Sequence, residues 1–140
     1  MTVLTTTSDL NAFCAAAQNT PVLYLDTEFL RETTYYAKLC LIQAKIPGMD
    51  PVAIDVLAEG IDLAPFWTLM DKQHILKVFH AGRQDLEIIY QATGKLPSPL
   101  FDTQIAASVL GYGDQVGFEG LVRRIVEHQL DKGSQFTDWS

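Results

Sequence analysis

The chain has 140 residues, 48% of them hydrophobic, which is enough for one compact domain with a real core and not comfortably for two. Its net charge of −7 argues against a protein that holds nucleic acid by bulk electrostatics, but not against one whose acidic groups hold cations. No stretch resembles a signal peptide and the apolar runs are far too short to span a bilayer, so we expect a cytoplasmic protein.

The first half of the chain is predicted to consist mainly of strands. A polar run ends at Ser8 and Asp9, either of which can cap a short helix that runs to about Gln18. Apolar segments then predict three strands, at residues 22–27, 39–44 and 52–56. Because the connections between these strands are short, we expect them to form an antiparallel meander.

The second half of the chain alternates between helices and strands. Helices are predicted from Asp62 or Leu63 to Asp71, over 81–93 with Gly94 as the stop, over 103–110, and over 117–129. Strands are predicted at 75–79 and, briefly, at Leu100 and Phe101. The order predicts an α/β fold: a mixed sheet covered by helices, with strand 75–79 parallel and adjacent to strand 22–27.

Two carboxylates lie where the strand in "VLYLDTEF" ends, at Asp26 and Glu28. Residues i and i+2 of a strand point to one face, so these two side chains lie together while Thr27 points the other way. Neighbouring carboxylates disfavour each other's ionisation. Either a cation relieves the pair or both groups are simply solvated at the strand end.

The position of Asp85 favours the first explanation, in which a cation binds the carboxylates. At 100° per residue, Asp85 lies in the middle of the apolar face of helix 81–93, between Ile89 and Ala92. An Asp that faces a sheet needs a partner, and this helix follows the strand expected beside Asp26 and Glu28. Three converging carboxylates without a clustered Arg or Lys indicate a site for Mg²⁺ or Mn²⁺.

Four segments together carry a family resemblance: "LDTEF", "TYYAKLCLIQ", "VFHAGRQDLEIIY" and "FDTQIAA". In this order and spacing the chain resembles the DEDD superfamily of 3′–5′ exonucleases, and within it the ribonuclease D family. The resemblance implies a ribonuclease H-like fold, here lacking its final helix, and hydrolysis of RNA from the 3′ end with two divalent metal ions, Mg²⁺ or Mn²⁺. It implies Asp26, Glu28 and Asp85 as the catalytic metal ligands.

The resemblance also implies roles and a departure from the family pattern. Asp26 would bridge both metals, Glu28 would orient the attacking water, and Asp85 would hold the leaving-group metal. The family's third motif, with a Tyr and a fourth Asp, does not occur before Ser140. Residues 1–140 are therefore expected to be the first part of an exonuclease domain, without the helicase-and-ribonuclease-D C-terminal domains, and nearly inactive alone.

Further residues are candidates for contact with RNA: Thr27, Phe29, Tyr35 and His80. Tyr35 could stack on a terminal base or simply pack, and Phe29 could wedge against a base. His80 ends an apolar strand, where a hydrogen-bonded structural histidine is favoured over a metal ligand. Asp102 is expected to cap the helix after it and not to be a fourth ligand.

Two other readings of the carboxylates are open. A fragment with this fold could lack catalysis and act only as a binding module for metal or nucleic acid. A glycosidase could use Asp26 and Glu28, but side chains at i and i+2 leave no room for a sugar between them, and Asp85 would then have no role.

Overall fold

One mixed sheet organises the parts of the chain that the computed structural model describes, residues 1–30, 37–111 and 117. Its strands are β1 (Thr2–Leu4), β2 (Val22–Leu30), β3 (Lys38–Lys45), β4 (Val52–Asp55), β5 (Leu76–Phe79) and β6 (Leu100–Asp102). The helices are α1 (Thr7–Ala16), α2 (Ala64–Met70), α3 (Arg83–Thr93) and α4 (Thr103–Val109). Across the sheet the strand order is β1-β4-β3-β2-β5-β6.

The predicted topology of the sheet is confirmed. Strand β3 pairs antiparallel with both β2 and β4, which is the meander expected from the short connections. Strand β5 lies beside β2 and runs parallel to it, with Tyr24 opposite Val78. Strand β6 continues the sheet parallel to β5. The strand that carries Asp26 and Glu28 is therefore central, and the strand that leads into α3 is its neighbour.

One strand and the start of one helix differ from the predictions. Strand β1, which pairs parallel with β4, was not predicted, because three residues are too few to show a periodicity. Helix α1 begins earlier than expected: the side chain of Thr6, and not that of Ser8 or Asp9, caps it by accepting a hydrogen bond from the Asp9 N–H at 3.1 Å. The helix predicted over 117–129 lies outside the described residues except at Gly117.

One face of the sheet forms the core. Along β2 the buried positions alternate, at Leu23, Leu25 and Thr27, and the helices contribute buried residues such as Phe13, Phe66 and Ile89 to the same apolar cluster. Asp26 and Glu28 alternate with these positions and so lie on the other face. None of the described helices is long and apolar enough to cross a membrane.

The end of α3 follows from its sequence. Gly94 adopts a left-handed conformation with φ of 74° and its N–H donates to the Tyr90 carbonyl at 2.7 Å. Glycine is favoured there because other L-residues pay a steric cost at positive φ. The predicted stop is confirmed, and it leaves Asp85 in the first turn of a helix of eleven residues.

Candidate active site

The two strand-end carboxylates occupy neighbouring positions on one face of β2. Asp26 pairs across the sheet with Gln43, and Glu28 pairs with Leu41. Asp26 is half-buried and Glu28 is exposed. The pairing with β3 shifts register immediately after Glu28, and such irregularities often re-aim side chains beside active sites. The pair thus lies at the point where regular pairing of the strand is interrupted.

Asp85 is turned towards the sheet, as its place on the helix predicts. Only 7% of Asp85 is exposed. Its Oδ1 accepts a hydrogen bond from the Thr27 main-chain N–H at 3.2 Å, and a second from the Thr27 hydroxyl. Thr27 lies between Asp26 and Glu28 in the sequence, so a contact across 58 residues of chain brings the second motif to the first.

The pKa values of two of the carboxylates, Asp26 and Asp85, are raised. The pKa of Asp26 is raised from 3.8 to about 6, first by burial and then by the charges of Asp85 and Glu28, while a hydrogen bond from the Thr27 main chain opposes the rise. Burial also raises the pKa of Asp85, against the hydrogen bonds from Thr27. Asp26 and Asp85 thus resist becoming anions, and a nearby cation would relieve that resistance.

The carboxylates do not form a ready-made ligand shell. Within the described chain, no three His, Cys, Asp or Glu side chains are placed to hold a metal ion together. Thr27 holds Oδ1 of Asp85 through its main-chain N–H and its hydroxyl, and the charges of Asp85 and Glu28 are close enough to Asp26 to raise its pKa. The structure brings Asp85 to the strand that carries the pair, without closing a site around a cation.

A second carboxylate, Asp102, sets the start of α3. Its side chain caps α4 by accepting hydrogen bonds from the main-chain N–H groups of Gln104 at 2.8 Å and Ile105 at 3.4 Å, which confirms the predicted cap. It also accepts from Ala81 at 3.0 Å and Gly82 at 2.8 Å. Asp102 therefore joins the turn before α3 to the turn before α4, a role that the sequence did not predict.

The turn between β5 and α3 has little freedom. Ala81 has a positive φ of 53°, a conformation that non-glycine residues rarely adopt. A Cβ atom on Gly82 would lie 2.5 Å from the Phe79 Cβ, so only glycine fits. This turn fixes the direction in which α3 leaves the sheet, and Asp85 follows three residues after Gly82. The sequence signal for it was the His80-Ala81-Gly82 segment at the end of a strand.

We expect Asp102→Ala to lower the free energy of unfolding by at least about 2 kcal/mol, because it removes a helix cap and leaves two main-chain donors unpaired. Urea denaturation of both proteins measures the difference. Asp62→Ala is the matched control, since Asp62 accepts a hydrogen bond from the Ala64 N–H at 3.0 Å at an exposed helix start. An equal or smaller loss for Asp102→Ala would contradict the bridging role.

The four remaining candidates are the residues predicted to contact RNA. His80 contacts the Thr103 hydroxyl through Nδ1 at 2.7 Å, so it is a hydrogen-bonded histidine of the same junction, as expected. Phe29 is half-buried beside the register shift. Thr27 is 6% exposed and is engaged with Asp85. Tyr35 lies outside the described residues. Their contacts with RNA stay predictions.

An apolar groove lies elsewhere on the molecule. It encloses about 890 Å³ between α3, β6 and α4, and its lining includes Leu86, Tyr90, Phe101 and Ile105. Asp26, Glu28 and Asp85 are not among its lining residues. The groove therefore does not mark the carboxylate site.

Comparison with known proteins identifies the family of the chain. The sequence matches the 3′–5′ exonuclease family over residues 1–140. It is 56% identical over 140 residues to the ribonuclease D of Jannaschia sp. strain CCS1, which covers 98% of this chain and 36% of that protein. It is 54% identical to the ribonuclease D of Nitrobacter hamburgensis, over 100% of this chain and 36% of the relative. The chain thus spans about a third of the length of these relatives.

Solved structures share the fold. Escherichia coli RNase D, described as an exoribonuclease involved in structured RNA processing, is 39% identical with a TM-score of 0.82, over 98% of this chain and 36% of that one. Brucella melitensis NrnC with bound Mg²⁺ is 25% identical with a TM-score of 0.68, over 99% of this chain and 63% of that one. The fold is therefore ribonuclease H-like, and the chain belongs to the 3′–5′ exonuclease family as a ribonuclease D-like member.

Proposed function

We propose that the protein containing this chain removes nucleotides from the 3′ end of RNA by metal-dependent hydrolysis. The observation that carries the proposal is the contact of Asp85 with Thr27, because it joins the two carboxylate segments that the family resemblance assigns to catalysis. RNA as the substrate class is supported by the relatives, which are ribonucleases D, and by the E. coli structure of an exoribonuclease.

We infer that Asp26, Glu28 and Asp85 hold two divalent ions, Mg²⁺ or Mn²⁺. All three are hard oxygen donors, which these ions prefer. Within the described residues, no Lys or Arg lies within salt-bridge distance of them: the ion pairs there join Arg83 to Glu87 and Lys95 to Asp71. The Mg²⁺-bound NrnC structure supports a divalent metal in this fold. The donor set fits the ions, and their charge would offset the mutual repulsion of the carboxylates.

Each carboxylate has a proposed part in the reaction. When bound, the ions supply a lowered pKa for the attacking water and stabilisation of the charge on the leaving 3′ oxygen. Asp26 would contact both ions. Glu28, the exposed member, would orient the water. Asp85 would act on the leaving-group side: both donors of Thr27 go to its Oδ1, and we assign its Oδ2 to the ion.

Four further residues have proposed roles in binding the substrate, two by contact with a base and two through other residues. Phe29 lies on β2 just after the carboxylate pair, where its ring could pack against a base at the 3′ end. Thr27 would act through Asp85, which it holds. His80 is bound to the Thr103 hydroxyl and would act by fixing the turn before α3. Tyr35 would stack on a base.

The test is release of a terminal label from a single-stranded RNA labelled at its 3′ nucleotide. The chain is compared with a protein extended past Ser140 by the sequence its longer relatives have there. We expect the extended protein to release the label as a mononucleotide with Mg²⁺ or Mn²⁺, and to stop when EDTA removes the ion. Faster release by the extended protein than by residues 1–140 alone would show that residues after Ser140 take part in the reaction.

Two outcomes would contradict the proposal. Undiminished release in EDTA would exclude the metal mechanism. No release by the extended protein, with binding of Mn²⁺ or RNA retained, would favour the alternative of a non-catalytic exonuclease fold. The glycosidase alternative has no support from the relatives, which are ribonucleases.

A further inference from the structure

A buried amide lies beside the carboxylate pair without a hydrogen-bond donor. Gln43 is the residue of β3 directly opposite Asp26. Directly opposite residues of an antiparallel pair project from the same face, with Cβ atoms about 4.5–5.5 Å apart. Only 8% of Gln43 is exposed. Its Oε1 is buried and, within the described part of the chain, accepts no hydrogen bond.

The neighbours of Gln43 explain why Oε1 is unpaired. Its partner on β4 is Ala53, which has no polar side chain. Lys45, the next residue on the same face of β3, directs its ammonium to the main-chain carbonyls of Ile46 and Met49. The Thr27 hydroxyl faces the other side of the sheet and donates to Asp85. Buried side-chain acceptors are normally paired. We therefore expect Gln43 Oε1 to accept a hydrogen bond from a donor that is not one of these neighbouring residues.

We propose that Gln43 is a positioning residue of the metal site: its Oε1 accepts a hydrogen bond from a water in the hydration shell of the ion that Asp26 holds. Mg²⁺ keeps several of its waters when a protein binds it. Groups in the layer behind the ligands commonly orient them and contribute to affinity for the ion. This inference rests on the proposed function, because it needs an ion at Asp26.

The test uses the extended protein with Gln43→Met, and Gln91→Met as the matched control at an exposed position of α3. Each protein is stripped with EDTA, melted, and then titrated with Mn²⁺. We expect Gln43→Met to melt at or above the temperature of the unsubstituted protein in EDTA, because an unpaired buried acceptor is gone. Its affinity for Mn²⁺ should nevertheless fall about tenfold or more, while Gln91→Met changes neither quantity.

A second variant, Gln43→Glu, should change the melting temperature in EDTA and the response to Mn²⁺ in the opposite directions. A carboxylate opposite Asp26 adds a like charge, so the melting temperature in EDTA should fall. The rise that Mn²⁺ produces should be larger than in the unsubstituted protein, because the ion then neutralises one more acid. For Gln43→Met, in contrast, a merely structural role would change the melting temperature in EDTA but not the rise that Mn²⁺ produces.

The outcomes separate this inference from the proposed function. If the unsubstituted protein binds Mn²⁺ and both Gln43 variants keep its affinity, the inference is wrong and the metal site stands. If the variants keep the Mn²⁺ affinity but bind RNA less tightly, Gln43 contacts substrate and the inference is again wrong. If the unsubstituted protein shows no response to Mn²⁺, the metal-dependent function fails and the inference fails with it.

Discussion

Asp26→Asn in the extended protein is expected to lower the rate of RNA degradation at least about a thousandfold, which corresponds to about 4 kcal/mol of barrier. Asp26 is the residue proposed to touch both ions, and an amide keeps its shape while removing a charge and an anionic ligand. Both the activation of water and the stabilisation of the leaving oxygen depend on those ions. Release of the 3′ label, compared between the two proteins with Mn²⁺ present, measures the loss.

The same variant should be at least as stable as the unsubstituted protein when metal is absent. The pKa of Asp26 is raised from 3.8 to about 6, so at pH 7 the folded protein carries a carboxylate that its surroundings disfavour. Asn removes that cost. As the pH falls from above 6 to below 3.8, Asp26 binds its proton earlier in the folded than in the unfolded state, so the advantage of Asn should shrink and disappear. Thermal melts in EDTA at pH 7 and at pH 4 test both signs.

Activity and stability together decide the role of Asp26. A variant that kept even a tenth of the activity would make the two-metal assignment wrong. A variant that lost activity only because it unfolded would show that Asp26 is structural. Asp55→Asn is a suitable control, because Asp55 also lies on the sheet, and within the described residues its side chain accepts a hydrogen bond from the Leu57 N–H at an exposed turn.

Most of the sheet could be predicted because its signals are local. The apolar segments of β2, β3 and β4 stand out from the turns between them, and the change to helix–strand alternation predicts that β5 is parallel to β2. Strand β1 could not be found in this way. It pairs with a strand about fifty residues later, from Thr2 to Val52, and a pairing between distant residues leaves no periodicity in three residues of sequence.

In the site, too, features set by neighbouring residues could be predicted, whereas contacts between distant residues could not. Helical periodicity alone places Asp85 on the buried face of α3, and the structure confirms it. The sequence did not predict that Thr27 would hold Asp85, because Thr27 was expected to point away from the carboxylate pair and was a candidate only for contact with RNA. Nor did it predict the second role of Asp102, whose main-chain donors lie 20 and 21 residues before it. Main-chain donors carry no sequence signal, so only the fold identifies such partners.

The other large effect is expected for Asp85→Asn, which should lower the activity of the extended protein at least about a hundredfold, or about 3 kcal/mol of barrier, without loss of stability. The two hydrogen bonds from Thr27 both end on Oδ1, and Asn keeps an oxygen at that position. The substitution removes the negative charge of a buried carboxyl group whose pKa burial already raises. The proposed ion ligand would be lost, while the contact that holds α3 to β2 would be kept.

Asp85→Leu separates the effect of the negative charge of Asp85 from the effect of its hydrogen-bond acceptor. Leu removes the charge and the acceptor together, so the buried Thr27 N–H and hydroxyl lose their partner and the free energy of unfolding in EDTA should fall by about 1–3 kcal/mol. Urea denaturation in EDTA and label release with Mn²⁺, measured on Asp85→Asn and Asp85→Leu side by side, provide the comparison. If Asn destabilised the protein as much as Leu, the charge itself would be holding Thr27. If Asn were stable and active, Asp85 would be a structural acceptor only, and the leaving-group ion would need another ligand.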